Sequence, residues 1–216
     1  MVTRACRSAQ QAIDGVGKTV FTLAICLSAV SFGAHLSTLV VPRVPALPPP
    51  SRPVRYTLSA LAVLTYAAAY PAYFRASPRF RHDATAALLF SFPGTLSRYL
   101  LSVALNPRLK LFPLGTFVAN TVGTAILGML TVLESVQAGG PFSPGACAII
   151  KGVGDGYCGC LTTISTFAAE VDALDGRRAW IYVVLSWLVS QMLLAVIMGA
   201  AIGSGKVSRG ITCKYE

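Results

Sequence analysis

Residues 152–167 read Gly-Val-Gly-Asp-Gly-Tyr-Cys-Gly-Cys-Leu-Thr-Thr-Ile-Ser-Thr-Phe, a glycine- and hydroxyl-rich stretch inside an otherwise apolar span. Ala146-Cys-Ala-Ile-Ile precedes it and Phe167-Ala-Ala leads out of it to Glu170, which puts the cluster near the middle of a membrane-crossing segment. Gly152, Gly154, Gly156 and Gly159 each weaken a helix by roughly 1 kcal/mol relative to alanine, so the stretch predicts a helix break. In lipid a broken helix survives only where its freed backbone groups are buried in protein or line a polar cavity. Unwound carbonyls beside half-helix ends are a recurring way to hold a cation. Thr162, Thr163, Ser165 and Thr166 add hydroxyls that can donate to an anion. The same glycines have a second reading, in which small residues simply let helices approach closely.

Composition sets the surroundings of this stretch. With 54% hydrophobic residues, 12% charged residues and a mean hydropathy of +0.64, the chain falls well outside the usual globular range and reads as an all-α integral membrane protein. The net charge of +10 would point to nucleic acid in a soluble protein. Here the basic residues fall mostly in short segments between apolar runs, where they report topology first. The six cysteines are scattered, without paired CxxC spacing, and the chain has two histidines, which argues against a disulfide framework and a zinc site. Cys158 and Cys160 read as small apolar packing residues.

About six transmembrane spans are expected. Residues 1–17 read as a polar, basic tail, and a first span runs from about Thr19 to Val41, with His35 toward its interfacial end. The proline-rich segment 42–56 predicts a loop, because proline removes amide donors and restricts the residue before it. An alanine- and tyrosine-rich connector span follows over 57–75, and Arg75, Arg79, Arg81, His82 and Asp83 form a basic boundary after it. A four-span unit is then expected over 84–203, with a polar tail at 204–216.

Within that unit, Arg98 lies inside the span that ends near Leu105; an intramembrane charge is either a functional group or snorkels to the interface. In the next span Thr116, Asn120 and Thr124 recur every fourth residue and share a helix face. Tyr182, Ser186 and Ser190 repeat the spacing in the last span. Two polar stripes and a break together define a track through apolar helices. Hydroxyls in such helices can also bond their own backbone, and a lone asparagine can serve as an interhelical tie.

These residues carry a resemblance. Gly115-Thr-Phe-Val-Ala-Asn120-Thr-Val-Gly123, Gly156-Tyr-Cys-Gly-Cys-Leu-Thr-Thr-Ile-Ser-Thr-Phe167 and Gly94-Thr-Leu-Ser-Arg98-Tyr99 are similar to the motifs of the Fluc/CrcB/FEX fluoride channel family, over about residues 88–203. The resemblance implies one four-helix unit that pairs antiparallel with a second, as a homodimer or with a separate partner chain. It makes the 57–75 span a connector and the 19–41 span the last helix of a preceding unit, so the sequence resembles a eukaryotic FEX protein shortened at its N-terminus.

By the same resemblance, the backbone carbonyls of Gly159 and Thr162 hold a structural Na+. Asn120 and Thr116 line the fluoride path with Ser165, Thr166, Tyr182, Ser186 and Ser190, while Arg98 and Glu170 are structural. Phe167 matches the second of two pore phenylalanines, and Ile164 stands in place of the first. A ring edge is electropositive and can face an anion, and isoleucine offers no such edge.

The expected function is a fluoride-selective channel that lets fluoride leave the cell passively, through a narrow path lined by neutral donors. There is no nucleotide-binding loop and no set of nucleophile, base and orienting group, which excludes an ATP-driven pump and an enzyme. Two alternatives stay open: a proton-coupled exporter using Asp155, or a non-conducting subunit of a channel. The expected location is the plasma membrane, with both termini on the cytoplasmic side.

Overall fold

The structure, a computed structural model, describes residues 2–43, 48–75, 77, 86–109, 111–135 and 142–204, with side chains from residue 13 onward. The expected boundary residues Arg79, Arg81, His82 and Asp83, and the tail from residue 205, lie outside them. All regular structure in the described residues is helical: α1 (Val2–Val40), α2 (Arg52–Arg75), α3 (Ala86–Leu105), α4 (Leu114–Ser135), α5 (Pro144–Gly152), a π segment (Val153–Cys158), the single turn α6 (Gly159–Leu161), α7 (Ser165–Ala173) and α8 (Gly176–Gly203). Short 3-10 turns follow α1 and α3.

Among the described residues four stretches are long and apolar enough to cross a membrane: Ile13–Arg43, Ala86–Arg108, Leu114–Ser135 and Gly176–Gly203. Their large apolar side chains are widely exposed, with Phe32 68% and Val196 69% accessible, as lipid-facing or partner-facing residues are. The protein is an integral membrane protein. Of the six expected spans, the connector forms a helix of 24 residues but is not among these four stretches, and the fifth is divided into short pieces.

Three expectations need correction. The segment 1–17, expected as a polar, basic tail set off from the first span, is helical from Val2 and continuous with that span in α1. The loop expected over 42–56 ends early, because α2 starts at Arg52 with Pro53 in its first turn, where no amide donor is needed. Finally, Cys147 forms a disulfide, although Cys26, Cys158 and Cys160 are free.

The chain divides into two compact units, one of Met1–Pro48 with Ile164–Ala179 and one of Pro49–Thr163 with Trp180–Glu216. In the first, α1 and α7 pack together. In the second, α3 is the hub and meets α2, α4, α5, the π segment and α6. Glycines make these approaches possible. A side chain at Gly94 would collide with the Tyr157 carbonyl, one at Gly156 with the Ala87 carbonyl, and one at Gly152 would come within 2.9 Å of Ala86 Cβ.

Two helix starts in this unit are capped locally. The Ser143 hydroxyl accepts from the Ala146 amide at 3.3 Å with Pro144 at the first helical position, a standard N-terminal arrangement. The Asn106 side chain accepts from the Gly115 amide at 2.7 Å and satisfies a donor in the first turn of α4.

Candidate functional site

The interruption expected in the fifth span is present, but the glycines are not where the helix opens. From Val153 to Cys158 the backbone stays helical and widens into the π form, with the Gly159 amide shared between the carbonyls of Gly154 and Gly156. The buried glycines 152 and 156 lie against the backbone or Cβ of α3, so close packing explains them. The helix opens at Thr162, whose backbone is extended (φ −77°, ψ 151°), and resumes at Ser165.

Asn120 of α4 holds the opening. The Thr163 amide donates to Asn120 Oδ1 at 2.8 Å, and Asn120 Nδ2 donates back to the Thr163 carbonyl at 3.2 Å. This reciprocal pair satisfies the backbone of the residue at the opening, and it fixes which way the asparagine amide faces. One N–H of that amide remains beyond the pair. In a continuing helix the Thr163 amide would donate to the Gly159 carbonyl; here it is turned to Asn120 instead. Thr162 stays tied to the end of the helix, its amide and hydroxyl donating to the Cys158 carbonyl at 2.9 and 2.8 Å. Gly123, three residues beyond Asn120, leaves room for the Thr162 methyl group, which occupies the place of a side chain there.

The two stripes differ in state. On α4, Thr116 is buried and the Thr124 hydroxyl donates to the Asn120 carbonyl at 2.8 Å, so Thr124 serves its own helix. On α8, Tyr182 is fully buried, with its ring edge-on to Phe112 at 5.0 Å between centroids. Ser186 Oγ is buried and has no hydrogen-bond partner among the described residues. Elsewhere in the chain hydroxyls bond back to a carbonyl three or four residues earlier, as Thr19, Thr22, Thr57, Thr65, Thr131 and Ser135 do at 2.8–2.9 Å. Ser186 does not take this route. Ser190, one turn on, is half-buried.

Asn120, Thr162, Thr163 and the serines of α8 thus lie in the second unit, whereas Ile164, Ser165, Thr166, Phe167 and Glu170 lie in the first, the boundary falling after Thr163. Ile164 is 43% exposed, Ser165 and Thr166 are exposed, Phe167 is buried and Glu170 half-buried. Arg98 is half-buried on α3. Asp155 is exposed and lines a cavity of about 280 Å³ with Thr131, Glu134 and Lys151, away from the opened residues.

Some of these roles are invisible in the sequence. The Asn120–Thr163 pair joins residues 43 apart, and the motif places an asparagine on a helix face without naming its partner. The cap supplied by Asn106 is signalled only weakly, by an Asn-Pro step just before an apolar run.

Comparison with known proteins fits this geometry. The family model for CrcB-like protein, Camphor Resistance (CrcB), matches residues 85–203. The chain is 46% identical over 122 residues to fluoride export protein 1 of Neurospora crassa, covering 56% of this chain and 23% of that protein. It is 38% identical over 123 residues to fluoride export protein 1 of Candida albicans, covering 54% of this chain and 31% of that one. It is also 38% identical over 108 residues to the fluoride-specific ion channel FluC of Pseudomonas aeruginosa, covering 49% of this chain and 81% of the bacterial protein. The chain therefore spans under a third of these two fungal relatives and most of the bacterial one.

Proposed function

Since this chain belongs to the CrcB-like family, we propose that it supplies one channel-forming unit of a fluoride-selective ion channel, a passive route by which fluoride leaves the cell. The observation that carries the reading is the Ser186 hydroxyl, buried on an apolar helix and left without a hydrogen-bond partner among the described residues. An orphaned polar group in such a place costs about 1–3 kcal/mol. That cost is offset if the hydroxyl donates to a transient anion. Fluoride is small and strongly hydrated, so a path for it must replace water with a dense set of donors. Within the second unit Ser186, Ser190, Tyr182, Thr116 and the remaining N–H of Asn120 are groups of this kind, and within the first Ser165 and Thr166 are; none carries a charge that would trap the ion. Phe167 adds a ring, and Ile164 removes one from this unit's share. Transport of this kind needs no catalytic group.

A structural Na+ fits the same segment. The Thr163 amide, which would reach the Gly159 carbonyl in a continuing helix, is turned to Asn120, and Gly159 itself is exposed. Thr162, in extended backbone, carries the second carbonyl. Among the described residues no cluster of His, Cys, Asp or Glu could hold a metal, so the ion would rest on carbonyl oxygens, the ligands a hard cation prefers. Two carbonyls fall short of the six or so oxygens such an ion takes. A second unit, from another copy or a separate chain, would supply the rest and complete the pathway. Arg98 and Glu170 would then be structural, and the plasma membrane is the proposed location.

The test is fluoride efflux from liposomes that contain the purified full chain in sodium buffer, beside Asn120→Ala and Ser186→Ala. Efflux that both substitutions reduce is the expected result. Proton-driven exchange lost on Asp155→Asn would replace the channel with an exporter, and absence of flux with every partner unit tried would make the chain a non-conducting subunit.

A further inference from the structure

Pro93 sits inside α3 and has no amide hydrogen. In a regular helix that amide would donate to the carbonyl four residues earlier, that of Leu89, and the proline ring also crowds this carbonyl away from the helix axis. In apolar surroundings an unpaired carbonyl is costly, and proline inside a membrane helix is tolerated when a neighbour satisfies the freed group. The neighbour here is α2. Tyr66 Oη donates to the Leu89 carbonyl at 2.7 Å, and the Tyr66 ring packs 5.3 Å from that of Phe92, the residue before the proline. Ala69, three residues along α2, is buried, whereas most of that helix is exposed.

The same few residues of α3 also carry the packing of the π segment. Gly94 follows Pro93 directly and admits the Tyr157 carbonyl at a distance no side chain would allow, and Tyr157 Oη donates to Ser97 Oγ at 3.3 Å. One stretch of α3 is therefore engaged by α2 through Tyr66 and by the π segment through Tyr157. The π segment leads within one turn to Thr162 and Thr163.

We propose that Tyr66 is a positioning residue whose hydroxyl stands in for the amide that Pro93 lacks, so that α2 is a docked part of the four-helix unit and sets the course of α3 where the π segment packs on it. The docking stands on geometry alone; its effect on ion flux rests on the fluoride-channel reading above. Nothing in the composition of α2 announces this role, because a tyrosine in an alanine-rich helix acquires it only from a proline 27 residues away in another helix.

The experiment is a double-substitution cycle on the full chain: unaltered protein, Tyr66→Phe, Pro93→Ala and the pair together. Thermal midpoints are read in detergent and fluoride efflux in liposomes. Tyr66→Phe alone is expected to lower the midpoint by about 2–4 °C and to slow efflux several-fold. Pro93→Ala returns an amide to the Leu89 carbonyl, so adding Tyr66→Phe to it is expected to change neither reading. Recovery of folded Tyr66→Phe protein only when Pro93→Ala is present would support the proposal equally. Equal losses in both backgrounds, no loss in either, or failure to fold in both would overturn it. If no protein of the set conducts with any partner unit tried, the fluoride-channel reading fails, and the midpoint cycle still decides the docking.

Discussion

The interrupted span has two halves that behave oppositely. Its glycine half, Val153–Cys158, looks in sequence like the break, yet stays helical and lies against α3 with Gly156 pressed to the Ala87 carbonyl. Its threonine half, Thr162 and Thr163, is made of residues without a special breaking tendency, and it is the part that unwinds. The difference teaches that glycine content marks where backbones touch, whereas unwinding in an apolar setting requires an outside partner for each freed peptide group. Asn120 is that partner for Thr163.

The sharpest way to break the comparison is at Gly156. Gly156→Ala drives a methyl group into the Ala87 carbonyl, and we expect a loss of about 3 kcal/mol or more, seen as little or no folded protein in detergent. If this variant were stable and merely straightened the span, the glycine half would be a breaker after all.

Asn120→Ala comes next. It strips both bonds from the Thr163 peptide, an expected cost of about 2–6 kcal/mol at one to three for each freed group, read as a drop in thermal midpoint together with loss of fluoride efflux. A midpoint unchanged from the starting protein would mean that the opening does not need its clamp.

Ser186→Ala separates stability from transport. Removing a hydroxyl that has no partner among the described residues should leave stability unchanged or raise it by up to about 1 kcal/mol, read as an equal or higher thermal midpoint, while efflux falls. Equal efflux from Ser186→Ala would remove Ser186 from the path.

The smallest effect is expected at Gly159, where an added Cβ would meet nothing within 4 Å among the described residues. Its backbone is already helical (φ −61°, ψ −34°) and its surroundings are open, so Gly159→Ala should be neutral or stabilising by up to about 1 kcal/mol. Set beside Gly156→Ala, it measures packing against intrinsic helix preference within a single segment.

Much of the architecture was legible in the residues, because spans of apolar side chains announce themselves by length and composition alone. The polar face of α4 and the presence of an interruption were legible for the same reason: periodicity and residue type are local properties. What could not be read is relational. The glycines of 152–159 admit both a break and a close contact, and only the position of Ala86 and Ala87 decides between them. The proline-rich stretch over 42–56 conceals a helix start at Arg52, since Pro53 is harmful inside a helix and harmless in its first turn. The repeat of Tyr182, Ser186 and Ser190 does not tell which hydroxyl is satisfied, because that depends on what each one meets in the fold.

The clamp on Thr163 bears on how the protein enters its membrane. Until α4 lies beside it, the Thr163 peptide has water as its ready partner, so the interrupted span is poorly suited to passing into lipid as an independent segment. α4 precedes that span in the chain, and the order of synthesis therefore delivers the asparagine before the peptide that needs it. Moving Asn120 to a helix made later would reverse that order and leave the nascent span waiting at the insertion machinery for its partner.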